Sequence, residues 1–206
     1  TPPTILATIG ADGCFEGMFR ECNSLKYIPQ IRLNDIPKNG CYCMFYGCTS
    51  LTTIPSFSFN YIGNQGCFSM FQGCTSLESF GEFKVNTFDY RSCYQMLKGC
   101  TKLTYFPPIS QGTLADGCLC SLFDECTALE TPPALPLTKL AENCYSQMFR
   151  GCTNLKVAPV LPATTLAYEC YAGMFENCSN LTVTPELPVT TLAISCYEGM
   201  FKGCTS

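Results

Sequence analysis

Eighteen cysteines are the residues of this 206-residue chain with the most obvious capacity for chemistry. Thiols form disulfides in oxidising compartments, and thiolates ligate metals such as zinc. The chain contains no histidine, so the commonest general base and the commonest metal ligand are both missing. What the thiols can do therefore depends on how the sequence spaces them.

Eight of the cysteines follow one another at equal intervals of 26 residues, and we call them the anchor cysteines. They are Cys22, Cys48, Cys74, Cys100, Cys126, Cys152, Cys178 and Cys204. A fixed period without insertions is the sequence signature of a solenoid. The sequence predicts a single solenoid domain of about eight coils over residues 1–206, cut within a repeat at both ends. Further repeats or domains of the same protein are expected beyond both ends.

A second cysteine precedes the anchor in every coil. It stands eight residues before the anchor in five coils and seven before it in three, at Cys41, Cys67 and Cys93. We interpret the shorter spacing as the loss of one residue there and a gain in the preceding loop. Eight residues of helix span about 12 Å, too far for a disulfide within a coil. Between coils the Cα spacing permits a disulfide, but parallel Cβ vectors make its dihedral awkward. We predict mostly buried free thiols, with some disulfides as the alternative.

Two further cysteines, Cys43 and Cys120, form Cys-x-Cys pairs with Cys41 and Cys118. A zinc site would require the pairs to converge, but they stand three coils apart, roughly 14 Å at strand spacing. We therefore predict no metal and no cofactor. The sequence also lacks a Ser/His/Asp set and a glycine-rich phosphate loop, so we predict that the chain is not an enzyme.

Apolar residues recur in the same period: Met four residues before the anchor, Phe three before it and Leu three after it. Residues 144–152 place apolar side chains at i, i+1, i+4, i+5 and i+8, which predicts a short helix, or a 3₁₀ turn in the three coils with the shorter spacing. A short parallel strand should follow the anchor, because prolines limit its length. A proline-rich return such as residues 161–166 would close the coil.

The phrase Met-Phe-x-Gly-Cys-Thr-Ser-Leu, repeated at fixed spacing, resembles the BspA-like leucine-rich repeats. Met replaces a small residue of the family pattern, and the coil is longer than the family's commoner one, so the chain looks like a 26-residue variant. The resemblance implies an α/β solenoid, a right-handed leucine-rich-repeat array with one short parallel strand and one short helix or 3₁₀ turn per coil. Family members are surface proteins of Bacteroidetes and of some parasitic protists, and are described as adhesins. The resemblance therefore implies a cell-surface or extracellular location, and it offers no catalytic residues to carry over.

Two columns on the predicted strand side vary while the core columns do not, and they form the candidate ligand face. These positions lie five and eight residues after the anchor: Tyr27, Gln30, Thr53, Ser56, Ser79, Glu82, Tyr105, Thr131, Val157, Val183 and Glu186. Positions that are free of core constraints can diversify for recognition, or can drift as solvent-facing residues, and the sequence leaves both open.

The residue after the second cysteine is aromatic in seven of the eight coils: Phe15, Tyr42, Phe68, Tyr94, Tyr145, Tyr171 and Tyr197, with Leu119 as the exception. Such a column could form an exposed strip that binds glycans. It could equally cap the edge of the core, with the tyrosine hydroxyls reaching water, and we favour this interpretation.

The charge and the distribution of apolar residues limit the classes of partner that the chain is expected to bind. The net charge is −4 and no basic cluster is present, so the pattern expected of a nucleic-acid binder is missing. No apolar run approaches the roughly 20 residues that a membrane span needs. The sequence favours a module that recognises a protein or glycan at a cell surface, and the alternative is a structural spacer that presents another domain. A binding module should expose a contiguous aromatic or apolar patch, whereas a spacer should be uniformly polar.

Overall fold

The protein is described by a computed structural model over residues 3–206. Its coils stack so that residues 26 apart lie side by side in parallel pairs, such as Asp35 with Tyr61 and Thr53 with Ser79. A solenoid with the predicted period is therefore present. Its right-handed winding stays a prediction.

The five coils from Thr53 to Thr165 pair with their neighbours on two sides, where one strand per coil was predicted. The first side follows the anchor and contains β2 (Thr53–Ile54) and β4 (Ser79–Phe80), which pair with each other. The second side contains β1 (Asp35–Ile36), β3 (Phe57–Ile62) and β5 (Phe83–Phe88), which form a three-stranded parallel sheet. The predicted return loop is thus a strand in the coils that contain β3 and β5.

Proline explains why the later coils lack these strands. Ser58 and Lys84 occupy the second residue of β3 and β5, where the later coils carry Pro136, Pro162 and Pro188. A proline has no N–H to donate to a neighbouring strand. The later coils are joined by isolated parallel bridges: Lys139 with Thr165 on the second side, and Tyr105 with Thr131 and Val157 with Val183 on the first.

The predicted helix or 3₁₀ turn before each anchor is wrong, because residues 3–206 contain no helix. Each coil instead has a segment of overlapping β-turns that we call the turn ribbon, and the eight ribbons cover 11–22, 37–48, 63–74, 89–100, 115–126, 141–152, 167–178 and 193–204. Every second N–H in a ribbon donates to the carbonyl three residues earlier, as Met70 does to Cys67 at 3.2 Å. The other N–H groups donate to the next coil, as Phe71 does to Met96 at 2.9 Å. Five such bonds join each neighbouring pair of ribbons.

A left-handed residue occurs at every fourth position of the ribbon. In 63–74 these residues are Gln65, Ser69 and Gly73, with φ of 53°, 49° and 74°. A positive φ at the third position of a β-turn is the signature of a type II turn. The resulting period is four residues, two facing inward and two facing outward, which over nine residues produces the same i, i+1, i+4, i+5 apolar pattern as a helix.

The spacing of the coils explains why a ribbon replaces a helix. An α-helix is about 10 Å wide, whereas neighbouring strands lie about 4.8 Å apart. A ribbon is thin and directs half of its N–H groups at the next coil, so it can stack at nearly the strand spacing. The Phe column confirms this spacing: the rings of Phe45 and Phe71 are parallel and 5.4 Å apart, and those of Phe149 and Phe175 are 5.6 Å apart.

The ribbons keep the 26-residue period strictly, so the interpretation of a lost and regained residue is wrong. Cys41 lies over Phe15 rather than over Cys14, and Gly40 takes the place next to Cys14. In two adjacent inward columns, the sizes of the side chains change between the early and the later coils of the stack. Coils two to four pair a small residue with a cysteine, as in Gly66–Cys67. Later coils pair a cysteine with a larger residue, as in Cys144–Tyr145, and both members of each pair are buried except Tyr197, which is half-buried.

Gly81 provides a sharp test of the close approach between coils. It stands in a column that is otherwise proline, such as Pro55 and Pro107. A Cβ on Gly81 would lie 2.5 Å from the backbone nitrogen of Ser56, and its N–H donates to the Ile54 carbonyl at 2.9 Å. We expect Gly81→Pro, although it restores the column's usual residue, to destabilise the fold by about 3 kcal/mol or more. Thermal unfolding would measure this.

Gly81→Ala separates the two causes, because it keeps the N–H donor and adds only the steric clash. We expect it also to lower the melting temperature, by less than the proline variant does. A proline variant as stable as the parent would contradict the observed approach of the two coils.

Candidate binding faces

All eleven residues of the predicted ligand face are exposed. Those five positions after the anchor lie in line across the coils, because Thr53 pairs with Ser79, Ser79 with Tyr105 and Tyr105 with Thr131. The positions eight after the anchor form a second exposed row. We call these two rows the strand face. That a ligand binds there stays a prediction.

The second row of the strand face is polar in the first three coils, apolar in the next three and charged again at Glu186. It carries Gln30, Ser56 and Glu82 in the first three coils. The next three coils carry Pro108, Ala134 and Val160 in that row, all of them exposed, and Val160 is 80% exposed. The predicted set omits these three apolar residues, although the same 26-residue spacing identifies them.

A shallow groove of about 370 Å³ runs beside Val160 in the apolar half. Its walls are Pro132, Pro133, Pro136, Pro159, Pro162 and Val160. Leu135 lines it as well and is itself almost fully buried. Prolines offer no N–H donor, so the groove is suited to apolar side chains rather than to hydrogen-bonded backbone.

The predicted aromatic column is in fact two separate ladders on the turn ribbons. Tyr42, Phe68 and Tyr94 stack on one another six residues before their anchors, with ring centroids 4.9 and 5.0 Å apart. Tyr145 and Tyr171 stack one position earlier in the repeat, seven residues before their anchors, with ring centroids 6.0 Å apart. The first ladder is partly exposed, whereas these two later tyrosines are buried and the Tyr145 hydroxyl has no hydrogen-bond partner. The expectation that the hydroxyls reach water is therefore wrong for Tyr145.

A polar cavity of about 530 Å³ lies where the first ladder stops. Tyr94 and Arg91 line one side of it, and Asp116, Glu142 and Gln147 lie on the side of the following coils. The Arg91 guanidinium rests 5.1 Å from the ring centroid of Tyr90 and 5.5 Å from that of Tyr94. The sequence pattern did not predict this site, because it treated both ladders as one column.

A column of alternating charge runs two residues before the anchors on the turn ribbons. Asp124 is fully buried and accepts two hydrogen bonds from the Arg150 guanidinium, at 2.8 and 2.6 Å. It also forms an ion pair with Lys98 at 2.9 Å. Its hydrogen bonds to Arg150 raise the pKa of that guanidinium further. Lys202 continues the column by pairing with Glu176 at 2.8 Å. Sequence reasoning missed this column, although the signs alternate every 26 residues from 98 to 202.

The anchor thiols donate hydrogen bonds, a role that the sequence does not reveal because their neighbours in the repeat are apolar. The Sγ of each anchor from Cys48 to Cys204 donates to the backbone carbonyl of the residue 29 positions earlier, at 3.0 to 3.2 Å. The Phe123 carbonyl, for example, accepts both the Cys126 N–H and the Cys152 thiol. A buried cysteine thus fills a small core space and also satisfies a carbonyl of the preceding coil.

All eighteen cysteines are free thiols, and fifteen of them are buried. Burial raises the pKa of Cys48 to about 11 and that of Cys144 to about 12. A raised pKa keeps a thiol protonated and poorly reactive. Cys43 and Cys120 lie in ribbons three coils apart and do not converge.

Residues 3–206 contain no group of three or more metal-ligating side chains of the His, Cys, Asp or Glu type. Within the same residues there is no helix that could cross a membrane.

Comparison with known proteins adds little to this picture. No family model and no curated protein matches the chain. One solved structure, a leucine-rich repeat protein from Bacteroides ovatus, is 18% identical and has a TM-score of 0.32. The match covers 90% of this chain and 61% of that protein, so the chain spans less than two thirds of its length. Because this likeness is weak, the description of the fold rests on the hydrogen-bonded stack itself, and membership of the BspA-like family stays a prediction.

Proposed function

We propose that the chain is a non-catalytic recognition module that binds a protein partner through the apolar half of the strand face. The groove beside Val160 is the observation that supports this most directly. A spacer without a ligand has no need to expose apolar side chains, and contiguous exposed apolar surface generally accompanies a binding role. The polar half of the same face, with the Lys84–Glu82 ion pair, serves as an internal comparison.

The rigidity of the stack suits this role. Five hydrogen bonds join each pair of neighbouring ribbons, and prolines restrict the backbone of the groove. A preformed surface loses little conformational entropy when a partner binds. The partner we propose is a protein that inserts apolar side chains between the proline walls.

The proposed location is a cell surface or the extracellular space. Exposed thiols would be oxidised there, but most thiols of this chain are buried and have a raised pKa, as at Cys48. Buried protonated thiols resist oxidation and disulfide exchange. The cysteine content is therefore compatible with an oxidising compartment even without a disulfide framework.

Val160→Glu tests the proposal. The side chain is 80% exposed, so the substitution should leave folding intact while it places a charge in the groove. We expect binding to weaken at least about tenfold, as at the centre of an interface. The measurement is binding of the chain to arrays of purified extracellular-matrix proteins and glycans, followed by titration of each protein that binds. The matched control is Gln30→Glu, which adds the same charge to the same row in the polar half.

An equal loss with Gln30→Glu would refute a role for the apolar half. Consistent silence of the parent chain on the arrays would favour the spacer.

A further inference from the structure

The polar cavity on the turn ribbons owes its shape to the shift between the two aromatic ladders. Tyr94 stacks on Phe68 on one side, but the next coil offers Cys120 in place of a ring, and the coil after it offers Ser146. The aromatic residues of the later coils lie one position earlier in the repeat, and Tyr145, for example, is fully buried in the core. The missing rings leave a trough on the surface, and Tyr94 lines its end.

The lining combines an aromatic ring with several hydrogen-bonding groups. Carboxylates of Asp116, Glu142 and Glu169 are acceptors, and the amides of Asn143 and Gln147 are both donors and acceptors. Within residues 3–206 none of these three carboxylates forms an ion pair, in contrast to the neighbouring column with the buried Asp124. Asp116 Oδ1 already accepts the Glu142 N–H at 3.1 Å, and Gln147 Oε1 accepts the Ser121 hydroxyl at 3.3 Å. The hydrogen-bonding capacity left beside the stacking surface lies with the other polar groups of the lining, among them Glu142 and Asn143.

We propose that this cavity binds a neutral saccharide of two or three sugar units. A sugar ring has a flat C–H face that packs on an aromatic ring, here the part of Tyr94 that neither Phe68 nor the Arg91 guanidinium covers. The hydroxyls around the edge of the sugar bind carboxylates and amides. The volume of about 530 Å³ lies within the range of small-ligand sites. This site is separate from the strand face, so it goes beyond the proposed protein-binding function and does not depend on it.

Charge selects among saccharides. Three carboxylates outnumber the single cation, Arg91, whose guanidinium already rests between Tyr90 and Tyr94. An acidic sugar would meet net repulsion in this cavity. A neutral sugar is free of this repulsion and can still accept hydrogen bonds from Arg91.

Cys120→Tyr tests the site by restoring the missing ring. The new side chain would extend the stack of Tyr42, Phe68 and Tyr94 into the trough and fill it. Calorimetric titration with cellotriose and chitotriose, with sialyllactose as the acidic comparison, provides the readout. We expect at least one neutral trisaccharide to bind with a Kd of about 1 mM or tighter, and Cys120→Tyr to weaken it at least about tenfold.

Glu142→Gln is the second variant, because Glu142 is exposed and its replacement does not endanger the fold. It should weaken neutral-sugar binding by about five- to tenfold, since hydrogen bonds to charged groups are the stronger ones. The matched control is Glu130→Gln, an exposed carboxylate in another part of the chain, which should have no effect.

The proposal fails if neither neutral trisaccharide binds at about ten times the expected Kd. It also fails if sialyllactose binds better than both, or if Glu142→Gln and Glu130→Gln behave alike. Val160→Glu should leave sugar binding unchanged, so the failure of one proposal can be distinguished from the failure of the other.

Discussion

Raising the pH from about 8 to about 10 should unfold the solenoid, because its buried thiols cannot ionise inside the stack. Burial raises the pKa of Cys48 to about 11 and that of Cys178 to about 12. Burial likewise raises the pKa of the anchor thiols between them, Cys74, Cys100, Cys126 and Cys152. An unfolded cysteine ionises near pH 8.5, well below these folded values.

The sign follows from the direction of the shift. A folded pKa above the unfolded pKa means that the stabilisation is fully present below about pH 8.5 and is lost as the pH rises towards the folded value. Each buried thiol then costs about 1.4 kcal/mol of unfolding free energy per pH unit. Six anchor thiols together cost about 12 kcal/mol by pH 10, comparable with the whole stability of a typical domain, about 5–15 kcal/mol.

Far-ultraviolet circular dichroism against pH, with excess reductant present, measures this unfolding. Thiolate absorbance recorded on the same samples should rise together with the loss of structure. The matched control is Cys22→Ser, which removes an exposed anchor thiol and should leave the transition where it is. A chain that stays folded through pH 10, or that forms more thiolates while still folded than its two exposed cysteines can supply, would contradict the effect assigned to burial.

The period and the core columns could be predicted from the sequence because stacked coils demand the same residue type at the same place. A buried position such as Phe149 touches the equivalent residues of both neighbouring coils. Because the core is closely packed, even small changes of side-chain volume there lower the stability. Uniform columns of Phe, Leu and Cys are the direct result, and they are visible without a structure.

The helix could not be excluded on the same grounds, because periods of 3.6 and 4 residues are nearly indistinguishable over nine residues. The outward residues carried the missing signal. Thirteen of the 24 left-handed ribbon positions carry Gly or Asn, the residue types that most readily adopt positive φ, such as Asn39, Asn143 and Gly151. A helix has no need of such residues in its interior.

The two candidate sites differ in how well they can be predicted from the sequence. The strand face follows from spacing alone, since positions five and eight after the anchor must recur on the same side of every coil. The cavity beside Tyr94 depends on which of two adjacent columns carries the ring, and only the hydrogen-bonded register decides that. Alignment on cysteines placed Cys41 and Cys118 together, although they lie in different columns.

Asp124→Asn should destabilise the stack by about 3–5 kcal/mol, the second large effect that we expect. The carboxylate is fully buried and neutralises both Lys98 and Arg150. Its replacement by an amide of the same shape leaves two cations facing each other in a partly buried space. Removal of one partner from a buried ion pair costs far more than removal of an exposed pair, which contributes about 0–1 kcal/mol.

The matched control is Glu176→Gln, which breaks the ion pair with Lys202 in the same column. Lys202 is largely exposed, so this loss should stay within about 1 kcal/mol and should vanish at high salt. The cost of Asp124→Asn should persist at about 1 M salt, because buried charges are screened much less. Urea unfolding midpoints at low and high salt measure both differences, and equal losses for the two variants would contradict the assignment.

A triple variant separates charge balance from fold specificity. Lys98→Leu, Asp124→Leu and Arg150→Leu together remove all three charges and fill the space with apolar volume. Replacement of a complete buried ion network by apolar residues is often neutral or stabilising, so most of the stability lost in Asp124→Asn should return. If it does not return, the bidentate contact between Arg150 and Asp124 must itself hold the fifth and sixth ribbons in register, a role that apolar packing cannot replace.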